Sequence, residues 1–434
     1  MNNEHKKLIL ISLNEINFDI AYKYAKKYNL KNFQYLIENK TINYITESEK
    51  DYNKLEPWIQ WASVYTGLSS DDHGIFRLGD ILNNTSDQIF EKIESLNLKV
   101  GAISPMNVAN RLKFPVYFIP DPWTQTNHDG SFWSKLITNL LIKSVNQNAK
   151  NKLNYTSIFF LFFIFLRFAR IKNYINFIYL FLFSKRKKWR KAIFLDLLIN
   201  DIHIKFINKY SPNFSNVFFN AGAHIQHHHF LKSIFAIKNN NFMNKNIDFI
   251  DPIYESLFDY DKILSDYVNN KSYNFIIFTG LTQTPNPYPT YYYRLKDHKN
   301  FLSILRIKYK AIYPRMSRDF LIEFKNLSQS QEALRILSNL KTSNGEKIFE
   351  ELDDRGLSIF VTLTYNKIIN KNMYINFNNL KFNFLNLVDF VAIKNGIHNE
   401  KGYLFASKNL KNLIGKKKLN VKDIHKIILN FFKN

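Results

Sequence analysis

Residues Leu8 to Glu15 read LILISLNE. Leu8–Leu13 is an apolar run broken only by a serine and closed by two polar residues, and it reads as a first strand. The next stretch, Asp19 to Tyr35, carries apolar residues at helical spacing. An open α/β sheet offers side chains to a ligand in this way, from polar residues at the carboxyl end of a strand that runs on into a helix. Asn14 and Glu15 are thus the first candidates for a site.

The same alternation returns along the chain. Val100–Ile103, Val116–Ile119, Asn216–Asn220 (NVFFN), Tyr273–Thr279 (YNFIIFT), Ile359–Thr364 and Asp389–Ile393 are further strand candidates separated by helical stretches. The expected fold is α/β: a doubly wound, mostly parallel sheet flanked by helices, with an inserted helical cap. Polar residues follow three of these strands: Asn14 and Glu15, the histidines after Asn220, and His398 after Ile393.

The cap is expected over 125–205. Ser157–Phe168 (SIFFLFFIFLRF) and Tyr174–Phe183 (YINFIYLFLF) are strongly apolar and flank Arg167, Arg170 and Lys172. Neither reaches the ~20 residues needed to cross a bilayer. The basic run Ser184–Lys191 (SKRKKWRK) follows. One reading is insertion into an anionic membrane surface with Trp189 at the interface. The other is a pair of core helices beside a solvated charge run. The domain reading is 1–124 and 206–406 for the two parts of the core, 125–205 for the insertion, and 407–434 for a basic C-terminal helix carrying VKDIHKIILNFF.

The chain of 434 residues has a formal net charge of +24 and no cysteine. Disulfides and thiolate metal sites are excluded, so a metal would need His, Asp, Glu or Asn. The opening MNNEHKKLILISLNE lacks the long apolar region of a signal peptide, and a cytoplasmic protein is expected, with peripheral contact at the inner face of the membrane through 157–191. The positive charge suits nucleic acid, anionic lipid or a phosphorylated glycan, and also follows from a composition rich in Lys, Asn, Ile, Phe and Tyr. The lysines are scattered and no nucleic-acid-binding motif is present, so nucleic acid is the weaker partner.

Three segments carry the candidate chemistry. Trp58–Phe76 reads WIQWASVYTGLSSDDHGIF, with Glu56, Gln60 and Ser63 as nearby polar groups. Its Trp58, Trp61 and Val64 read as a packed helix face and His73 as the cap of a turn. Phe218–Phe230 (FFNAGAHIQHHHF) places four histidines, 224, 227, 228 and 229, within six residues. His224 and His228 share a helix face at i, i+4, a spacing suited to metal binding. Val391–Phe405 reads VAIKNGIHNEKGYLF.

In this order the segments resemble the alkaline phosphatase, sulfatase and nucleotide pyrophosphatase-phosphodiesterase superfamily, over roughly 1–120 and 206–406. The matching positions are Thr66-Gly67, His73-Gly74-Ile75, His227, Gly396, His398 and Gly402. Several functional positions depart from the superfamily's pattern: Pro57 stands where the nucleophile is expected, and Ala223 and Asn14 where ligand aspartates are. Gly280-Leu281 replaces an Asp-His pair. The chain is similar to a divergent member without the covalent nucleophile or an intact two-metal centre.

The resemblance implies a metal-assisted hydrolase or transferase acting on phosphate esters, phosphodiesters above all, or on sulfate esters. A glycan or lipid-linked glycoconjugate is the anionic substrate expected. Glu15, His227 and His398 would hold a single divalent ion, zinc or manganese. His224 or His228 would be a further ligand or a general acid, and Glu56 or Gln60 would orient a water. Arg315 and Arg318 in YPRMSRDF, three apart, are expected as helix neighbours able to grip an anion, or as an ordinary basic helix start. The alternative is a catalytically inactive relative that serves as a binding or scaffold protein in surface-glycan assembly. Convergence of Glu15, His227 and His398 around a cleft distinguishes the two.

Overall fold

The computed structural model describes residues 6–148, 155–235, 251–315, 318–378, 380–415 and 418–433. Contacts divide the chain into two compact units. One takes 6–144, 155–286 and 396–433; the other takes 287–395 with 145–148.

The first unit is built on an eight-stranded sheet. Its strands are β1 (Leu8–Leu13), β2 (Ile42–Glu47), β3 (Val100–Ile103), β4 (Tyr117–Ile119), β5 (Phe214–Phe219), β6 (Asn274–Phe278), β7 (Lys401–Ala406) and β8 (Lys418–Asn420). Their order across the sheet is β8-β2-β7-β6-β1-β5-β3-β4. β1 pairs in parallel with both β5 and β6, and all six of its residues are buried. The only antiparallel pairings described in this sheet are those of β7, with β6 and with β2. The sheet is therefore mostly parallel, as expected.

β1 shows why both faces are covered. Leu8 and Leu10 join one hydrophobic cluster with Trp61, Phe90 and Ile428, while Ile9, Ile11 and Leu13 join another with Tyr24, Ile202 and Leu264. Alternate side chains of one strand thus serve helices on opposite sides, the arrangement of a doubly wound fold.

The helix expected over Asp19–Tyr35 is two helices, Phe18–Tyr28 and Lys31–Tyr35. Asn17 caps the first through Oδ1, which accepts from the Ile20 N–H at 3.0 Å, and Asn29 ends it with a left-handed backbone, φ 55°. Between β4 and β5 the chain is helical, as Phe132–Asn148, Tyr155–Phe168, Tyr174–Leu182 and Arg190–Tyr210. Ile137, Ile164, Phe177 and Ile202 from these helices lie in the β1 core.

The second unit has its own core, which includes Phe320, Ile322, Ile359 and Val361. Its four-stranded antiparallel sheet runs Glu351–Asp354, Ser358–Thr362, Asp319–Glu323, Ala311–Pro314. Two sequence expectations are corrected here. The Ile359–Thr364 strand belongs to this antiparallel sheet and not to the parallel one. Asp389–Ile393 forms part of the long strand Val388–Asn399, which pairs with Thr282–Leu295 in a separate ribbon. A short apolar strand looks the same whichever sheet receives it. The stretch 206–406, read as core throughout, thus contains most of a distinct unit. In 407–434 the closing helix is Asp423–Lys433, a short helix spans Lys411–Ile414, and Lys418–Asn420 between them forms edge strand β8.

Candidate metal centre

The site lies at the carboxyl edge of the parallel strands. β1 ends at Leu13, and the next two residues are tied to its neighbours: the Asn14 N–H donates to Phe219 O and the Glu15 N–H to Thr279 O, both at 3.1 Å. Glu15 holds a left-handed backbone, φ 61°, uncommon for a residue with a Cβ. The strand-end bonds impose that conformation.

His227 comes from the helix Ala221–His229, which follows β5 directly. His398 lies near the end of the Val388–Asn399 strand, just before β7. Because β7 runs against β6, its start lies at the same edge as the ends of β1, β5 and β6. Three segments distant in sequence therefore meet at one edge.

They meet closely. Glu15 Oε2 lies 3.0 Å from His227 Nε2 and 3.2 Å from His398 Nε2, and the two nitrogens are 3.3 Å apart. Neighbouring ligand atoms of a tetrahedral zinc site with bonds of about 2.0–2.1 Å stand at about this spacing. Each imidazole is also backed. His227 Nδ1 is 3.3 Å from the Gly396 carbonyl, and His398 Nδ1 is 3.5 Å from Glu56 Oε2. In this structure the two Nε2 atoms face the Glu15 carboxylate as N–H groups; with a cation bound, the proton of each imidazole would stand on Nδ1 and the Nε2 lone pair would face the ion, the usual outer-shell arrangement of a histidine metal site.

Glu15 is prepared for the same role. Burial pushes its carboxyl up, but His227 and His398 outweigh burial and hold it well below the usual carboxylate range. Asn14 Nδ2 donates to Glu15 Oε1 at 3.0 Å and to Asn220 Oδ1 at 2.8 Å, while Trp61 Nε1 donates to Asn14 Oδ1 at 2.8 Å. Gln283 Nε2 donates to Glu15 Oε2 and, at 3.0 Å, to Ala223 O. Gln226 Nε2 donates to the Glu15 carbonyl at 2.7 Å. An anionic oxygen and two imidazole nitrogens, oriented from behind and buried or nearly so, fit a divalent cation.

Gly396 is required by this packing. A Cβ there would stand 2.3 Å from Gln283 Oε1 and 2.6 Å from the Gln226 carbonyl oxygen. The chain carrying His398 can approach the histidine helix only without a side chain at that position.

The remaining candidates fall into place as follows. His224 is exposed and stacks edge-on with His228, ring centroids 4.8 Å apart, and the His228 ring lies 6.3 Å from that of His227. Neither joins the Glu15, His227 and His398 triangle. Glu56 is the N-cap residue of the helix Pro57–Thr66, with its carboxylate turned to the rear of His398. Gln60 is fully buried and its amide is engaged at both ends, accepting from Glu49 N–H at 3.3 Å and donating to Lys54 O at 3.0 Å. It holds the neighbouring loop and is not available to orient a water. His73 Nδ1 accepts from Ile75 N–H at 2.9 Å, so Nε2 carries the proton and donates to Ser63 Oγ at 3.0 Å. Burial lowers His73 to about 4, and it is the turn cap expected from the sequence.

Arg315 and Arg318 lie in the second unit; 316–317, part of the expected helix, fall outside the described residues, and neither arginine stands in a helix. Arg315 follows the strand Ala311–Pro314, Arg318 precedes Asp319–Glu323, and the two strands pair. Trp189, expected at a membrane interface, is buried and donates its indole N–H to Glu255 Oε2 at 2.6 Å. Gln283 and Gln226 were not among the sequence candidates. Amides have no motif, and only their places beside β6 and His227 pointed to them.

No protein-family model matches the chain, and no curated protein matches its sequence. Among solved structures, the phosphonoacetate hydrolase of Sinorhizobium meliloti 1021 with phosphonoformate is 9% identical at TM-score 0.45, covering 99% of this chain and 96% of the other. Murine ectonucleotide pyrophosphatase/phosphodiesterase 5 is 13% identical at TM-score 0.41, covering 99% and 95%. A variant of the alkaline phosphatase PafA is 12% identical at TM-score 0.43, covering 98% and 95%. All three are alkaline phosphatase-superfamily proteins. At such identities and scores the likeness adds nothing to the strand order, and no activity passes from them to this chain.

Proposed function

We propose that the chain is a metal-assisted hydrolase or transferase of phosphate esters, with a phosphodiester as the preferred class. The observation that carries this reading is the triangle of Glu15 Oε2, His227 Nε2 and His398 Nε2, with sides of 3.0, 3.2 and 3.3 Å and a partner behind each imidazole. A divalent ion held there would supply positive charge for developing oxyanions and lower the pKa of a water.

The chain's own residues do the rest. With an ion bound, Gly396 O and Glu56 would accept the Nδ1 protons of His227 and His398, while Asn14 and Gln283 fix the Glu15 carboxylate. His228, with its ring 6.3 Å from His227, is the candidate to carry a proton to a leaving oxygen, with exposed His224 beside it. Pro57 heads the Pro57–Thr66 helix after Glu56, so this helix start offers no hydroxyl and water is the expected nucleophile. A glycan or lipid-linked glycoconjugate as the phosphodiester is the finer part of the proposal, supported by the +24 charge.

The lack of a hydroxyl at that helix start also favours a second reading, a metal-holding binding protein without turnover. The test is elemental analysis with turnover of bis(p-nitrophenyl) phosphate, p-nitrophenyl phosphate and p-nitrophenyl sulfate, with added zinc or manganese, for the native chain and His227→Ala. Metal-dependent diester hydrolysis that His227→Ala abolishes is expected. Bound metal without turnover supports the binding reading, and neither metal nor turnover overturns both.

A further inference from the structure

Two helices beside the core are apolar on the wrong side as well as the right one. In Tyr155–Phe168 the inner face places Ile164 and Phe168 in the core; in Tyr174–Leu182 Phe177 and Leu180 do the same. The outer faces are also apolar. Phe159, Phe162, Phe163 and Leu166 recur at i, i+3, i+4 and i+7; Ile175, Ile178 and Leu182 do so on the second helix, with Ile171 just ahead. All eight are between 46% and 85% exposed. A helix that is apolar all round is normally enclosed or in lipid, and a contiguous exposed apolar patch marks an interaction surface.

The turn between the helices is fixed. Arg170 binds Asp201 at 2.6 Å and Asp266 at 2.5 Å, and Lys172 binds Asp266 at 2.6 Å. Phe165 packs on Phe177 with ring centroids 5.2 Å apart. The outer stripes therefore belong to a braced helical hairpin.

Charge identifies the partner. Residues 155–195 contain nine Lys and Arg and no Asp or Glu. Arg170, Lys172 and Arg190 are paired with acids of other segments. Lys185, Arg186, Lys188 and Lys191 form an exposed basic run directly after the second helix. No helix among the described residues is long and apolar enough to cross a membrane. A second copy would bring the same basic run and another +24 charge against the first.

We propose that this hairpin is an interfacial anchor. Its Phe159–Leu166 and Ile171–Leu182 faces enter the outer few ångströms of an anionic bilayer, and the exposed cations of Lys185, Arg186, Lys188 and Lys191 bind the headgroups. This assignment stands independently of the metal centre. Trp189 takes no part, being buried.

The test is flotation of the full chain with vesicles of phosphatidylcholine alone and of phosphatidylcholine with about one-third phosphatidylglycerol. Binding to the anionic vesicles is expected, falling by about tenfold for each residue changed in F162S/I175S/L182S and about fivefold for each in K185A/R186A/K188A. Because the chain has no cysteine, I175C takes a single environment-sensitive dye, whose emission moves to the blue on the anionic vesicles whether or not the triple variants fold. Equal failure to bind both vesicle types, an unchanged dye, or a dimer by light scattering that F162S/I175S/L182S dissolves would each overturn the assignment.

Discussion

Asp196→Asn tests how the histidine helix is held at its start. Asn220, the N-cap residue of Ala221–His229, makes no side-chain cap bond. Asp196 serves instead, from the Arg190–Tyr210 helix: its Oδ2 accepts from Ala221 N–H at 2.8 Å and from the Tyr260 hydroxyl at 2.7 Å, while Tyr260 Oη accepts from Gly222 N–H at 2.7 Å. Burial raises the Asp196 carboxyl from its ordinary 3.8 to about 7. The folded chain therefore keeps a proton that the unfolded chain has lost, and stability falls as pH rises through the interval between those values. At 1.36 kcal/mol per pKa unit, this group alone removes about 2–3 kcal/mol between pH 5 and pH 8. Asparagine accepts the same two bonds through its carbonyl oxygen and has no charge to lose. Urea unfolding of both proteins with a chelator present, at pH 5 and pH 8, should show the wild-type chain losing about 2–3 kcal/mol relative to Asp196→Asn. A gap between the two that stays the same at both pH values refutes the reasoning.

Glu56→Gln should weaken zinc binding about 10–100-fold without unfolding the chain, because Glu56 lies behind His398 and not over the reacting position; titration against a metal indicator checks it. Gly396→Ala should cost about 1–3 kcal/mol from overpacking and lose the metal, read by denaturant unfolding and elemental analysis. His203, His73 and His425 are buried and lowered by burial to about 3, 4 and 4. The unfolded chain takes up their protons near pH 6.5 and the folded chain does not. Stability should therefore fall as pH drops from 7 to 5 in unfolding experiments, three histidines outweighing the opposite trend of Asp196.

Much of the first unit was legible because burial leaves a plain mark. Leu8–Leu13 lies between two parallel neighbours, and an apolar run is the only composition that suits it. Glu15, His227 and His398 were legible as types at strand ends, and the structure brings them together. Which face a residue turns was not legible. Glu56 was read only as a polar neighbour able to orient a water, and the fold shows it at a helix start with its carboxylate behind an imidazole. Gln60 stands four residues on, in the same helix, and is committed to a loop. The spacing of Arg315 and Arg318 means neighbours on a helix, and neither stands in one. β7 was hidden inside the GYLF of the His398 segment, because an antiparallel strand inserted into a parallel sheet has no local signal.

The position of β1 fixes the order in which this chain can be completed during synthesis. Its two partners, β5 and β6, begin at Phe214 and Asn274, and the strand next to β6 begins at Lys401. β1 therefore leaves the ribosome with neither neighbour for some two hundred residues, and its closures are among the slow, non-local kind. His398 lies 171 residues beyond His227, so over that interval the nascent chain carries Glu15 and the histidine-rich helix without the third donor. The Glu15, His227 and His398 triangle therefore cannot close before His398 has been made, and an ion that needs all three donors could be held only from that point on.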